Sequence, residues 1–105
     1  MVALILHFRN VGMTASCLNA LVDEGLLRAV VVDNSEDGGD SLHGLRPRLG
    51  ELPAIGAEIV LVEPGRNLGF SAGVNLAMRS ARQHFGPTDV LVLNNDARLM
   101  RGSLR

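Results

Sequence analysis

Four short aliphatic runs limit what this chain can fold into: VALIL at 2–6, AVVV at 29–32, EIVLV at 58–62 and VLVL at 90–93. A strand with one face in water alternates apolar and polar residues, whereas a strand buried on both faces of a parallel sheet is nearly continuous. The runs are nearly continuous and so predict four strands of a covered parallel sheet. Between the first two, MTASCLNALVDEG sets Met13, Cys17, Leu18, Leu21 and Val22 at helical spacing, with Gly25 placed to end the helix. Between the last two, FSAGVNLAMRSARQHFG sets Phe70, Val74, Ala77, Met78 and Ala81 on one face, with Gly86 beyond the end. The middle connection carries Leu42, Leu45, Leu49 and Leu52 at spacings of three and four. Gly44, Pro47 and Gly50 interrupt it, so a loop with a weak or broken helix is expected there. The expected order is β-α-β-α-β-α-β, an α/β Rossmann-like parallel sheet with right-handed crossovers and helices on both faces.

At 105 residues there is room for one small core and no second domain. With 47% hydrophobic residues, 20% charged and a formal net charge of -1, the chain belongs with soluble globular proteins. No nucleic-acid partner is expected from that charge. The lone Cys17 has no CxxC or Cys/His cluster around it and reads as a buried reduced thiol, which suits a cytoplasmic location. The opening MVALIL lacks a basic flank and is too short to cross a membrane, so no transmembrane segment is expected.

Ligands of open parallel sheets bind beyond the carboxyl ends of the strands. The segments that follow the four runs are HFRN (7–10), DNSEDGGD (33–40), EPGRNLGFSAG (63–73) and NNDA (94–97). Asp33 reads either as a turn residue or as a carboxylate accepting from a ribose or base. Asp96 reads either as a turn or cap residue or, after two amides, as a hard oxygen ligand for Mg2+ or Mn2+ on a diphosphate. The glycines at 65, 69 and 73 match neither a P-loop nor GxGxxG, leaving a tight strand-to-helix loop or an anion-favouring helix start. Asn75, on the first turn of that helix, caps it or faces the cleft. His7 ends the first strand without an obvious partner and reads as a structural or ligand-edge residue before a general base.

Taken in order, ILHFRN…TASCLNAL, VVVDNSEDG, GRNLGFSAGVNLAM and DVLVLNNDARL resemble the N-terminal half of family-2 glycosyltransferases. These are inverting enzymes of the GT-A fold, and the rhamnosyltransferase-like branch is the most similar. RNLGFSAGVN and LNNDA are the most specific parts. The resemblance implies a site for a nucleotide-diphosphate sugar, dTDP-, UDP- or GDP-linked, serving cell-envelope or polysaccharide synthesis. Phe8 falls at the aromatic beside the base, with His7 next to it, and Asp33, followed by Asn34, at the base- or ribose-binding carboxylate. Residues 67–75, with Asn67, Gly69, Gly73 and Asn75, match the glycine-rich helix entry. Asn94, Asn95 and Asp96 match the metal-binding DXD position, with Asp96 and Asn94 as ligands of Mg2+ or Mn2+ and Asn95 against the nucleotide.

The chain departs from that pattern in three places. Arg9 stands where Asn often follows the aromatic, the segment after Asp33 is one residue short, and Asn94 is a weaker ligand than Asp. The family's general base lies far beyond the DXD position, so residues 1–105 are expected to be one truncated, donor-binding half that does not complete catalysis alone. An uncovered VLVL edge is then expected to favour self-association or a partner chain. The alternative is a non-catalytic nucleotide-binding or structural remnant. A phosphoacceptor receiver-like domain needs an acidic pair after the first strand and a late lysine-bearing strand end, neither of which is present.

Overall fold

Each aliphatic run forms one strand of a single sheet in the computed structural model, which describes residues 1–95. The strands are β1 (Val2–His7), β2 (Arg28–Asp33), β3 (Glu58–Val62) and β4 (Val90–Asn94). All pairings are parallel and the spatial order is β3-β2-β1-β4. β1 runs alongside β2 from Ala3↔Ala29 to His7↔Asp33, and alongside β4 from Val2↔Val90 to Leu6↔Asn94. The chain therefore winds outward from β1 to β3 and then crosses back to the other side of β1. The architecture is α/β and Rossmann-like.

Pleating divides each strand between two helical layers. Ala3, Ile5, Ala29 and Val31 meet Cys17, Leu18 and Leu21 of α1 (Val11–Asp23) on one face. Val2, Leu4, Leu6, Val30 and Val32 meet Ala77 and Ala81 of α3 (Gly69–Phe85) on the other. Cover on both faces is the physical reason the runs do not alternate. Each fully buried aliphatic side chain in these layers contributes about 1.5–3 kcal/mol. β4 is covered less well, since α3 packs on β1, β2 and β3, and Val92 is left 36% exposed at the sheet edge.

Asn10 caps α1 by accepting a 2.9 Å hydrogen bond from the Met13 amide, and Gly25 takes the left-handed conformation just beyond the helix. The buried stripe runs through Thr14, Cys17, Leu18 and Leu21. Met13, expected on that stripe, points outward and is 43% exposed, because one residue before Thr14 is a 100° turn away. Cys17 is buried, and that burial pushes its thiol pKa up. Alkylation of Cys17 by iodoacetamide is accordingly expected to be at least ~10-fold slower in the folded chain than in urea, followed by mass spectrometry. Equal rates would remove the thiol from the core.

The middle connection is more ordered than its breakers imply. α2 (Asp40–Glu51) forms a continuous helix and passes into a 3₁₀ turn, Leu52–Ile55. Leu42, Leu45 and Leu52 are fully buried, and Leu49 packs against the α1-side core. Gly44 marks a close approach between helices, since a Cβ there would lie 3.3 Å from Val11 Cγ2. Burial of the leucine stripe outweighs the intrinsic cost of Gly44, Pro47 and Gly50. Among the described residues, no helix is long and apolar enough to cross a membrane.

Candidate functional site

The strand order reverses at β1, and a cleft opens at the carboxyl edge of the sheet near that reversal. Its floor and walls come from Leu6 and Phe8 at the end of β1, Asn34 after β2, and Asn94 and Asn95 at the end of β4. Asn67, Gly69 and Phe70 close it from the start of α3. The cleft is open to solvent, and its volume, about 350 Å³, is at the low end of what small-ligand sites occupy.

Three amides in this cleft fix backbone geometry. The Asn34 side chain donates to the Gly69 carbonyl at 3.2 Å and accepts from the Leu68 amide at 3.3 Å. Asn67 accepts from the Gly69 amide at 2.8 Å, completing an Asx turn into α3. Asn95 is buried, and its side chain donates to the Phe8 and Asn10 carbonyls at 3.0 and 3.4 Å. β4 thereby holds the loop between β1 and α1 in place. Gly73 lies beneath the cleft, where a Cβ would come within 2.9 Å of Asn34 Nδ2 and 3.2 Å of Leu6 Cδ2. Asn94 is exposed at the rim.

His7 and Asp33 belong to the opposite face of the sheet. His7 is fully buried, with Nδ1 2.5 Å from Thr14 Oγ1 on α1 and Nε2 3.0 Å from Ser41 Oγ on α2. Ser41 donates onward to Ser35 Oγ at 3.0 Å, and Ser35 Oγ accepts from the Arg9 amide at 2.8 Å. Burial lowers the His7 pKa, and the Asp33 and Asp37 carboxylates only partly offset it. Asp33 accepts from the Ser35 amide at 3.0 Å, an Asx turn, so the turn chemistry open to it in the sequence is realised. Burial disfavours the Asp37 carboxylate, but hydrogen bonds from the Ser41 side chain and from the Ser41 and Gly39 amides outweigh it and lower its pKa. The acidic loop after β2 thus faces the α1–α2 layer, and the cleft on the α3 side is lined, among the described residues, by neutral amides and aromatic rings.

Of the residues proposed from sequence, the cleft gathers Phe8, Asn34, Asn67, Gly69, Asn94 and Asn95. Asn75 lies elsewhere, in a groove with Met78, Arg79 and Arg82 on α3. Asp96 lies outside the described residues. Sequence reasoning missed Phe70, which it assigned to the apolar face of α3 but which is 53% exposed in the cleft. Its place in the first turn of the helix that follows β3, next to the ligand-binding edge, is the signal that could have found it. The hydroxyl partners of His7 were also missed. They carry no motif, because Thr14 and Ser41 lie 7 and 34 residues away along the chain.

Comparison of the chain with family models, with curated proteins and with solved structures yields no match. The functional reading therefore rests on the geometry of the cleft and on the sequence motifs that build it.

Proposed function

We propose that the cleft binds a nucleotide-diphosphate sugar, as the donor-binding half of an inverting sugar transferase of the family-2 type acting in cell-envelope or polysaccharide synthesis. One observation carries this reading. Segments 67–70 and 94–95, drawn from the two most specific motifs, converge with Phe8 on a single cleft at the reversal of strand order. That is where open parallel sheets take nucleotides.

The residues present fit a divalent ion in part. Asn94 offers a hard amide oxygen at the rim, of the class that Mg2+ and Mn2+ accept, whereas the Asn95 amide nitrogen is committed to backbone carbonyls. Asn94, together with Asp96, would hold the ion. When bound, the metal would neutralise the departing diphosphate. The chain's own part is to orient the nucleotide between β1, β4 and α3.

Calorimetric titration with UDP, dTDP and GDP, each with and without Mn2+, tests the proposal. Metal-dependent binding of at least one nucleotide is expected, weakened at least ~10-fold by Asp96→Ala, the loss expected when a charged ligand to a bound ion is removed. Absence of binding by a chain that is folded by circular dichroism would leave the motifs as scaffold and replace this reading with that of a structural remnant.

A further inference from the structure

Among the described residues only Arg9, at φ 56°, and Glu36, at 51°, take the left-handed conformation without being glycine, a conformation costly for a residue with a side chain. Both meet at Ser35, which precedes Glu36 in the chain and is bonded twice to Arg9. Residues 8–10 form a three-residue turn closed by the Asn10 amide on the Phe8 carbonyl at 2.6 Å, and its positive central φ makes it the rare, strained form. This turn borders the cleft: Phe8 lines it, and Asn95 Nδ2 donates to the Phe8 and Asn10 carbonyls from the β4 side. On the other side the turn is tied to Ser35, which is fully buried. Ser35 Oγ accepts from the Arg9 amide at 2.8 Å, its carbonyl accepts from Arg9 Nε at 3.0 Å, and its own amide donates to Asp33 Oδ1 at 3.0 Å. Ser35 is in turn set by His7. The Ser41 hydroxyl has one proton and donates it to Ser35 Oγ, so at its 3.0 Å contact with His7 it accepts from Nε2. Nδ1 of the neutral ring then accepts from the Thr14 hydroxyl. The row from Thr14 through His7 and Ser41 to Ser35 thus runs in one sense and presents Ser35 Oγ to Arg9 as an acceptor.

We propose that His7 is a positioning residue of the nucleotide cleft: through Ser41 and Ser35 it holds the strained turn at residues 8–10 in the shape that borders the cleft. The proposal rests on the nucleotide reading of the cleft. Strained backbone persists only where the surrounding structure over-determines it, and here the buried row supplies one tie and Asn95 the other. Without the Ser35 tie, Arg9 relaxes toward a negative φ, which turns the Phe8 carbonyl away from Asn95 and loosens the β1 wall of the cleft. His7 itself lies outside the cleft and acts only through these partners.

The test joins residue-resolved amide hydrogen exchange to titration with UDP and Mn2+, on the full chain. Ser35→Ala is expected to speed exchange of the Arg9 amide at least ~10-fold relative to that of Val31 in the middle of β2, because the loosening is local to the turn. His7→Leu should loosen the same amide, and His7→Gln, which keeps a side-chain donor, should restore part of its protection. UDP affinity should fall about fivefold in Ser35→Ala, the order of one hydrogen bond. In an Arg9→Gly background, where glycine takes the left-handed φ without steric cost, the same change should weaken UDP no more than about twofold. An Arg9 amide that exchanges no faster relative to Val31 in Ser35→Ala or His7→Leu overturns the tie through His7. Faster exchange with unchanged UDP affinity overturns the positioning role and leaves the nucleotide reading standing. Failure of the folded wild-type chain to bind UDP, dTDP or GDP overturns the nucleotide reading, while the exchange of the Arg9 amide still decides whether His7 holds the turn.

Discussion

Replacing His7 with leucine lowers the unfolding free energy by about 1–3 kcal/mol, because the hydroxyls of Thr14 and Ser41 lose a buried partner that leucine cannot replace. His7→Gln retains hydrogen-bonding capacity and is expected to recover part of that loss. Urea unfolding at neutral pH measures both. The same residue makes the fold acid-sensitive. Burial lowers the folded-state pKa of His7 below its ordinary 6.5, while Asp33 and Asp37 oppose that shift. Below pH 6.5 the unfolded chain therefore binds a proton that the folded chain resists. The contribution is complete above that pH and is lost as pH falls toward the folded-state value. Asp37, with a lowered carboxyl pKa, adds a loss of the same sign at lower pH, below its ordinary 3.8. Urea midpoints for the wild-type chain should fall between about pH 7.5 and about pH 5.5, and the fall should be smaller in His7→Gln. Parallel pH curves for the two would mean that the imidazole is protonated in place without cost.

Glycine-to-alanine changes at positions 73 and 50 should have opposite signs. At Gly73 the new Cβ would lie 2.9 Å from Asn34 Nδ2, an atom already bonded to the Gly69 carbonyl, and 3.2 Å from Leu6 Cδ2. Overpacking of this kind costs about 1–3 kcal/mol, against about 1 kcal/mol recovered because alanine is the better helix former. The steric term wins because Asn34 is tied at both ends of its amide and cannot step aside without freeing the start of α3. Gly50, inside α2, has nothing within 4 Å of its ideal Cβ and no left-handed φ. Gly50→Ala should therefore stabilise by up to about 1 kcal/mol. A Gly73→Ala chain as stable as wild type would mean that Leu6 and Asn34 yield more readily than their contacts imply.

The sheet and its two flanking layers could be read from the sequence because burial on both faces leaves a direct trace, an aliphatic run without alternation, and all four runs became strands. α2 was harder to read. Gly44 counts locally as a breaker, yet its reason for being glycine is Val11 on a different helix. The cleft was legible as a set of polar segments following strands, and Asn34, Asn67 and Asn94 were found that way. Which face each residue takes was not legible: His7 and Phe8 are neighbours in sequence, but the pleat sends one into a buried hydroxyl network and the other into the cleft. Phe70 was misassigned for a related reason. Helical periodicity shows that a residue shares a stripe with Val74 and Ala77, without showing where the sheet beneath that stripe ends.

The pairing of β4 with β1 joins residues 88 apart, the longest sequence separation in the sheet. Closing so large a loop delays contact formation, so β4 is expected to dock onto a preformed β1–β2–β3 unit. Asn94 and Asn95 ride on that last strand, whereas Phe8, Asn34 and Phe70 belong to the earlier unit. A ligand spanning the cleft would act as a latch across this seam, slowing amide exchange in β4 more than in β2. Occupancy of the site and completion of the sheet would then be one thermodynamic event.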